Sequence, residues 1–284
     1  MIKDYSTRAY RGYLAELALE SENPHSGFFG PRSAMWRSFQ EASIVLCFPR
    51  ALAMQISDPA IAAGVAQHSD FPRRAVQRLY RSLVFNHTVA FGSCQEATEA
   101  LIALYARHHK VRGHVMGQGA YHANQSELQR WVLLTTIDSV IYALKHFFGD
   151  RPPVSPQDFY GDTQRLLRLF RVNCQLPARA DEFQDMISNE ALSKEITPIA
   201  QQQFKAMLRL PSPVFWTSNR ILLAGSLPEP LRKAYGLDLD PTTRLSYRAG
   251  LGILSTVTRV TPRWLRTVPI ARQSKKRVKA GGPT

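Results

Sequence analysis

SCQEATEALIALYARHHKVRG, residues 93–113, has the make-up of a capped helix with one apolar face. Ser93, followed three positions later by Glu96, is the pair that caps a helix N-terminus reciprocally. Gly113 is the residue type that ends one. Ala97, Leu101, Leu104 and His108, continued by Val111 and Val115, form one apolar stripe at helical spacing. The spacing predicts a helix running to about Arg112. His108 lies on the stripe and points inward, whereas His109, turned by about 100°, lies at the flank with Ala106 and Arg112.

The same period extends in both directions. Upstream it predicts helices over residues 34–47, 51–56, 59–67 and 72–91; Asp58 followed by Pro59 gives an N-cap and a first helical residue. Downstream, glycines 113, 117 and 119 with little periodicity read as a loop over 113–126. Asn124 with Glu127 resembles a capping pair that opens a helix to Phe147. Further helices are expected over 155–171, 180–192, 198–210, 222–225, 230–235 and 244–260. No alternating strand pattern lasts beyond a few residues, and no internal repeat is visible. The expectation is all-α: a single-domain multi-helix bundle over 34–270, preceded by an N-terminal segment (1–33) and followed by a basic, disordered tail (271–284).

Composition agrees with a packed domain. The chain has 284 residues, 44% hydrophobic and 20% charged, enough to bury a sizeable core. Cys47, Cys94 and Cys174 are odd in number and form no CxxC pair, which excludes a disulfide scaffold and a cysteine zinc cage. A reducing cytoplasm is the compartment expected. Charged residues interrupt the first 22 positions, so no secretory signal is read there. No run approaches the roughly eighteen apolar residues of a membrane span.

The net charge of +14 is concentrated at one end: residues 241–284 hold ten Lys or Arg and no acid. Three readings of that segment stand side by side. It is a solvated extension; or it attaches the protein peripherally to an anionic membrane, since Leu251, Ile253, Leu254, Trp264 and Leu265 interleave with the charges; or it binds nucleic acid, the weakest reading because no binding motif accompanies the charge.

Familiar catalytic patterns are missing: there is no GxSxG, P-loop, HExxH or strand-linked GxGxxG. Eight histidines remain as candidates. A neutral imidazole facing an apolar interior is what a haem iron requires, and His108 meets that description. A hydrogen-bonded core histidine meets it too. Arg78 and Ser82, at i and i+4, project from one side of the preceding helix, a face that Phe85 and Val89 continue. They read either as a guanidinium and a hydroxyl entering a pocket or as surface residues.

An ordered set of short blocks then carries a resemblance. PRALAMQISDPAIAAGVAQHS (49–69), RLYRS (78–82), VAFG (89–92), HHKVRG (108–113) and YHA (121–123) follow one another, with Glu127-Leu128 and Trp131-Val132 behind them. ITP (196–198), PEPLR (228–232) and YGL (235–237) continue the series. Across about 35–269 the chain resembles the catalytic-domain family of the fungal mycophenolate-pathway oxygenase and rubber oxygenase (latex clearing protein). The resemblance implies an all-helical domain with a pocket between helices for haem b. It implies His108 as iron ligand, and Arg78 with Ser82 beside the haem, donating hydrogen bonds to dioxygen or orienting an apolar, olefinic substrate. The alternative is a non-catalytic member that binds haem, an apolar ligand or a partner protein. The chain departs from many bacterial members at two positions, where Asp58 and Leu133 stand in place of histidines. Asp58 has a local role of its own as an N-cap.

Overall fold

The computed structural model describes residues 2–69, 75–117, 119–208 and 213–281. Its helices are α1 (Ile2–Leu19), α2 (Ala34–Phe39), α3 (Phe48–Gln55), α4 (Pro59–His68), α5 (Ala75–Phe91) and α6 (Cys94–His108). A short hairpin follows, β1 (Arg112–Val115) with β2 (Gly119–His122). The chain returns to helix in α7 (Ser126–His146), α8 (Pro156–Leu169), α9 (Ala180–Leu192), α10 (Pro198–Leu208) and α11 (Pro213–Ser226). It ends in α12 (Glu229–Ala234), α13 (Pro241–Val260), α14 (Arg263–Arg266) and α15 (Pro269–Ala280). The molecule is an all-α bundle, as the apolar period predicts.

The helix α7 is apolar on almost every side, and a helix of that kind belongs in a core. Trp131, Leu134, Ile137, Val140, Ile141 and Leu144 are buried along it and centre the main hydrophobic cluster. Its polar residues are satisfied within the helix or by α3 and α9: Thr135 Oγ1 donates to the Trp131 carbonyl and Ser139 Oγ to that of Thr135, while Asp138 accepts from Arg50 and Gln184. A second, smaller cluster joins Tyr10, Leu14 and Leu17 of α1 to Ala97, Leu101 and Ile102 of α6. Helix α5 lies between the two, with Val89 in the small cluster and Ala90 and Phe91 in the large one.

Four expectations are corrected. The helix through His108 stops there, so Val111 falls in the connection and Val115 on a strand. Within the stretch read as loop, 113–126, an antiparallel hairpin forms with Arg112 as its first residue, in the register Arg112↔His122 to Val115↔Gly119. Positive φ angles at Gly117 and Gly119 let the chain reverse there. Asn124 does not cap α7: Gln125 holds that position without a side-chain bond, and Asn124 Nδ2 donates instead to the Tyr105 carbonyl. The basic end is not a disordered tail up to residue 281. It forms α15, whose Ala271 and Ser274 are buried, and Arg277 donates to the carbonyls of His25 and Phe91 and to Glu96. Residues 282–284, and the expected helix starts and ends at 72–74 and 209–210, lie outside the described residues.

Among the described residues no helix is long and apolar enough to cross a membrane. One bent pair, Ala42–Gln55 with Pro59–His68, passes by length and composition, but Phe48, Ala53, Met54, Ala62 and Val65 in it belong to the main core.

Candidate functional site

The capping box expected from sequence starts α6: Ser93 Oγ accepts from the Glu96 N–H, and the Glu96 carboxylate accepts from that of Ser93. The helix buries Ala97 and Leu101 and ends on His108. That residue is half-buried as a whole, yet its Nδ1 is shut off from solvent and has no hydrogen-bond partner among the described residues. Burial first, then the positive charges of Arg107 and Arg78 and the neighbouring His122, push its imidazole down to about 4. His108 is therefore neutral at pH 7, with a ring nitrogen that no group among the described residues uses.

Arg78 comes from α5 and is near enough for its charge to act on His108. Its Nη1 donates to Ser69 Oγ at 2.7 Å, and Ser69 in turn donates to the Val65 carbonyl. Burial and the nearby Arg81 lower the guanidinium pKa. Ser82, one turn further along, is exposed; its carbonyl accepts from Asn86 Nδ2. Tyr80, Arg81 and Val84 are exposed as well, so this half of α5 forms an open flank of the site. The structure thus sets the Arg78 charge near enough to lower the His108 pKa, commits its Nη1 to Ser69, and leaves Ser82 at the surface.

On the α1 side His108 lines a pocket of about 250 Å³ together with Tyr10, Leu104, Tyr105, Gln129 and Arg171. That volume lies below the ~300–1,000 Å³ of enclosed small-molecule sites. Arg171 is the only non-glycine residue with positive φ among those described, at 56°, and its guanidinium sits 5.7 Å from the centre of the Tyr13 ring.

The imidazole fits a haem and does not fit a protein-built metal cage. Among the described residues no three His, Cys, Asp or Glu side chains gather as ion ligands. A haem iron asks for one such ligand, because the macrocycle supplies four nitrogens. A neutral, unpartnered histidine nitrogen suits that demand.

Both departures have structural roles. Asp58 accepts from the N–H groups of Ala60 and Ile61 and pairs with Lys194 at 3.1 Å, while the Lys194 ammonium stands 4.4 Å from the Trp131 ring centre. Leu133 is buried in the main cluster. Two features were not read from sequence. His87 is buried against Phe91, ring centres 5.5 Å apart, and burial lowers its pKa to about 4. Its signal was the spacing Leu79, Leu83, His87, a second apolar row on α5. Arg50 forms a buried pair with Asp138 at 2.5 Å, donates to Ser139 and the Ser226 carbonyl, and covers the Tyr142 ring. No local pattern announces that pair.

Comparison with protein families gives a match to "ER-bound oxygenase mpaB/B'/Rubber oxygenase, catalytic domain" over residues 36–256. Comparisons with curated proteins and with solved structures give no match.

Proposed function

Because this chain belongs to the mpaB/rubber oxygenase catalytic-domain family, a family of haem-dependent oxygenases, we propose that it is a haem b oxygenase. Its co-substrates are dioxygen and an apolar, olefinic small molecule. The observation that carries the reading is His108: it falls inside the matched segment, and its buried Nδ1 has no partner among the described residues. Haem b, when bound, supplies the redox chemistry by which dioxygen is used.

The protein's own residues supply the setting. His108 offers a neutral nitrogen to iron, and its low pKa means that no proton has to leave at pH 7. Arg78, a permanent cation one helix away, donates N–H bonds toward dioxygen or a polar end of the substrate. Ser82, exposed one turn further along α5, would have to turn in from the surface to add its hydroxyl. Polar donors of this kind on the reacting side decide between binding and activating dioxygen.

A second reading is a non-catalytic member that keeps the bundle and binds haem or an apolar ligand. It is favoured by Asp58 and Leu133, which are committed to capping and core packing and carry no imidazole. Ferric and ferrous absorption spectra of haem-reconstituted protein test the main reading. A Soret band is expected, shifted or lost in His108→Ala. No band at all would sink haem binding, and an unaltered band would remove only His108 as ligand. Haem binding without dioxygen uptake across a panel of olefins would favour the second reading.

A further inference from the structure

Six large apolar side chains near the C-terminus face water: Leu245, Ile253, Val257, Val260, Trp264 and Leu265 are each 51–70% exposed. They are not scattered. In α13, Leu245, Ala249, Ile253 and Val257 recur every four residues, and Val260 falls within the same arc. The opposite arc faces the protein: Thr258 is buried, and Tyr247, Leu251 and Leu254 are half-buried, with Tyr247 against Gly225 of α11. In α14, which follows after Thr261 and Pro262, Trp264 and Leu265 are exposed as well.

The charges complete the pattern. Arg244 and Arg248 are exposed and flank the row on one side, Arg263 is exposed beyond its end, and residues 241–284 hold no acid. An apolar strip lined by arginines, on a helix of 20 residues, has the make-up of a helix that lies in a membrane interface. Self-association would bring the two basic margins of a +14 chain together, at a cost in repulsion. An anionic lipid surface offers acyl chains to the strip and headgroups to the arginines.

We propose that the exposed face of α13 and α14 docks the protein peripherally on an anionic lipid bilayer. The contact is distinct from α15, which is folded against the protein. It stands independently of the haem reading.

The test is co-sedimentation of the full chain with vesicles of phosphatidylcholine alone or mixed with phosphatidylserine. Binding is expected to the mixed vesicles only. Ile253→Ser with Val257→Ser should weaken it more than tenfold without changing net charge; both positions are exposed, and an unchanged far-ultraviolet dichroism spectrum confirms the fold. Arg244→Gln with Arg248→Gln should weaken it roughly thirtyfold, each basic side chain near such a surface contributing on the order of fivefold. The proposal is overturned by absence of binding to the mixed vesicles. It is equally overturned by binding that the serine pair leaves unchanged, which would be adsorption by charge alone. A dimer in analytical ultracentrifugation that the serine pair converts to monomer would reassign the face to a protein contact.

Discussion

Two histidines, His87 and His108, are held near 4 by burial against an ordinary value of 6.5. Between those two values the unfolded chain binds protons that the folded chain refuses. Stability therefore rises with pH across that window and is lost as pH falls from about 6.5 toward 4. For His87 the effect at pH 4 is on the order of 3 kcal/mol. Urea unfolding at pH 7, 5.5 and 4 should show it, and His87→Leu should flatten the profile. An unchanged slope in that variant would mean that His87 is not buried in its neutral form. The Arg50–Asp138 pair gives a second expectation at this scale. Arg50→Ala leaves the Asp138 carboxylate 2% exposed and without its cation, which costs about 3–5 kcal/mol. Arg50→Met with Asp138→Leu removes both charges, so it should cost clearly less. If the double variant is as unstable as the single one, the penalty is not an uncompensated charge.

Among the elements, α11 and α13 meet through Gly225. A methyl group there would lie 2.3–2.4 Å from the Tyr247 ring, far inside van der Waals contact. Gly225→Ala should destabilise by about 1–3 kcal/mol through overpacking. A second change, Tyr247→Ala, should make the added methyl tolerable, which thermal unfolding of the single and paired variants would show. Asp58→Ala removes the cap of α4, worth ~1 kcal/mol, and frees Lys194 as well. Most helices and several of their caps were legible, because capping and apolar period act over three or four residues. Ser93 with Glu96, and Asp58, cap as their spacing predicts. The hairpin was not legible: strands of four residues are too short to show an alternation, and its place depends on Tyr121 donating to Gln67 of α4 at 2.7 Å. Asn124 misled for a similar reason, since the Tyr105 carbonyl competes for its side chain.

For the molecule as a whole, α15 is the part whose removal is most informative. Truncation before Pro269 would expose Phe91 and Glu96 to the loss of Arg277, and would strip Lys275 from Gln40. A clear fall in melting temperature is expected; an unchanged melt would show that this segment contributes nothing to the fold. Residue types and their spacing are enough to show that the chain is helical, where most helices begin, that His108 lies on an apolar stripe, and which family its ordered blocks resemble. These are short-range matters of period, capping and residue type. Contacts between distant residues set the rest: that the stripe of α6 faces the small α1 cluster, that Arg78 bonds Ser69 while Ser82 stays exposed, and that α15 is packed while α13 keeps an apolar face in water. The physical reason is that a helical period tells which residues share a face. It does not tell which neighbour, if any, will cover that face, because that is fixed by contacts between residues far apart in the chain.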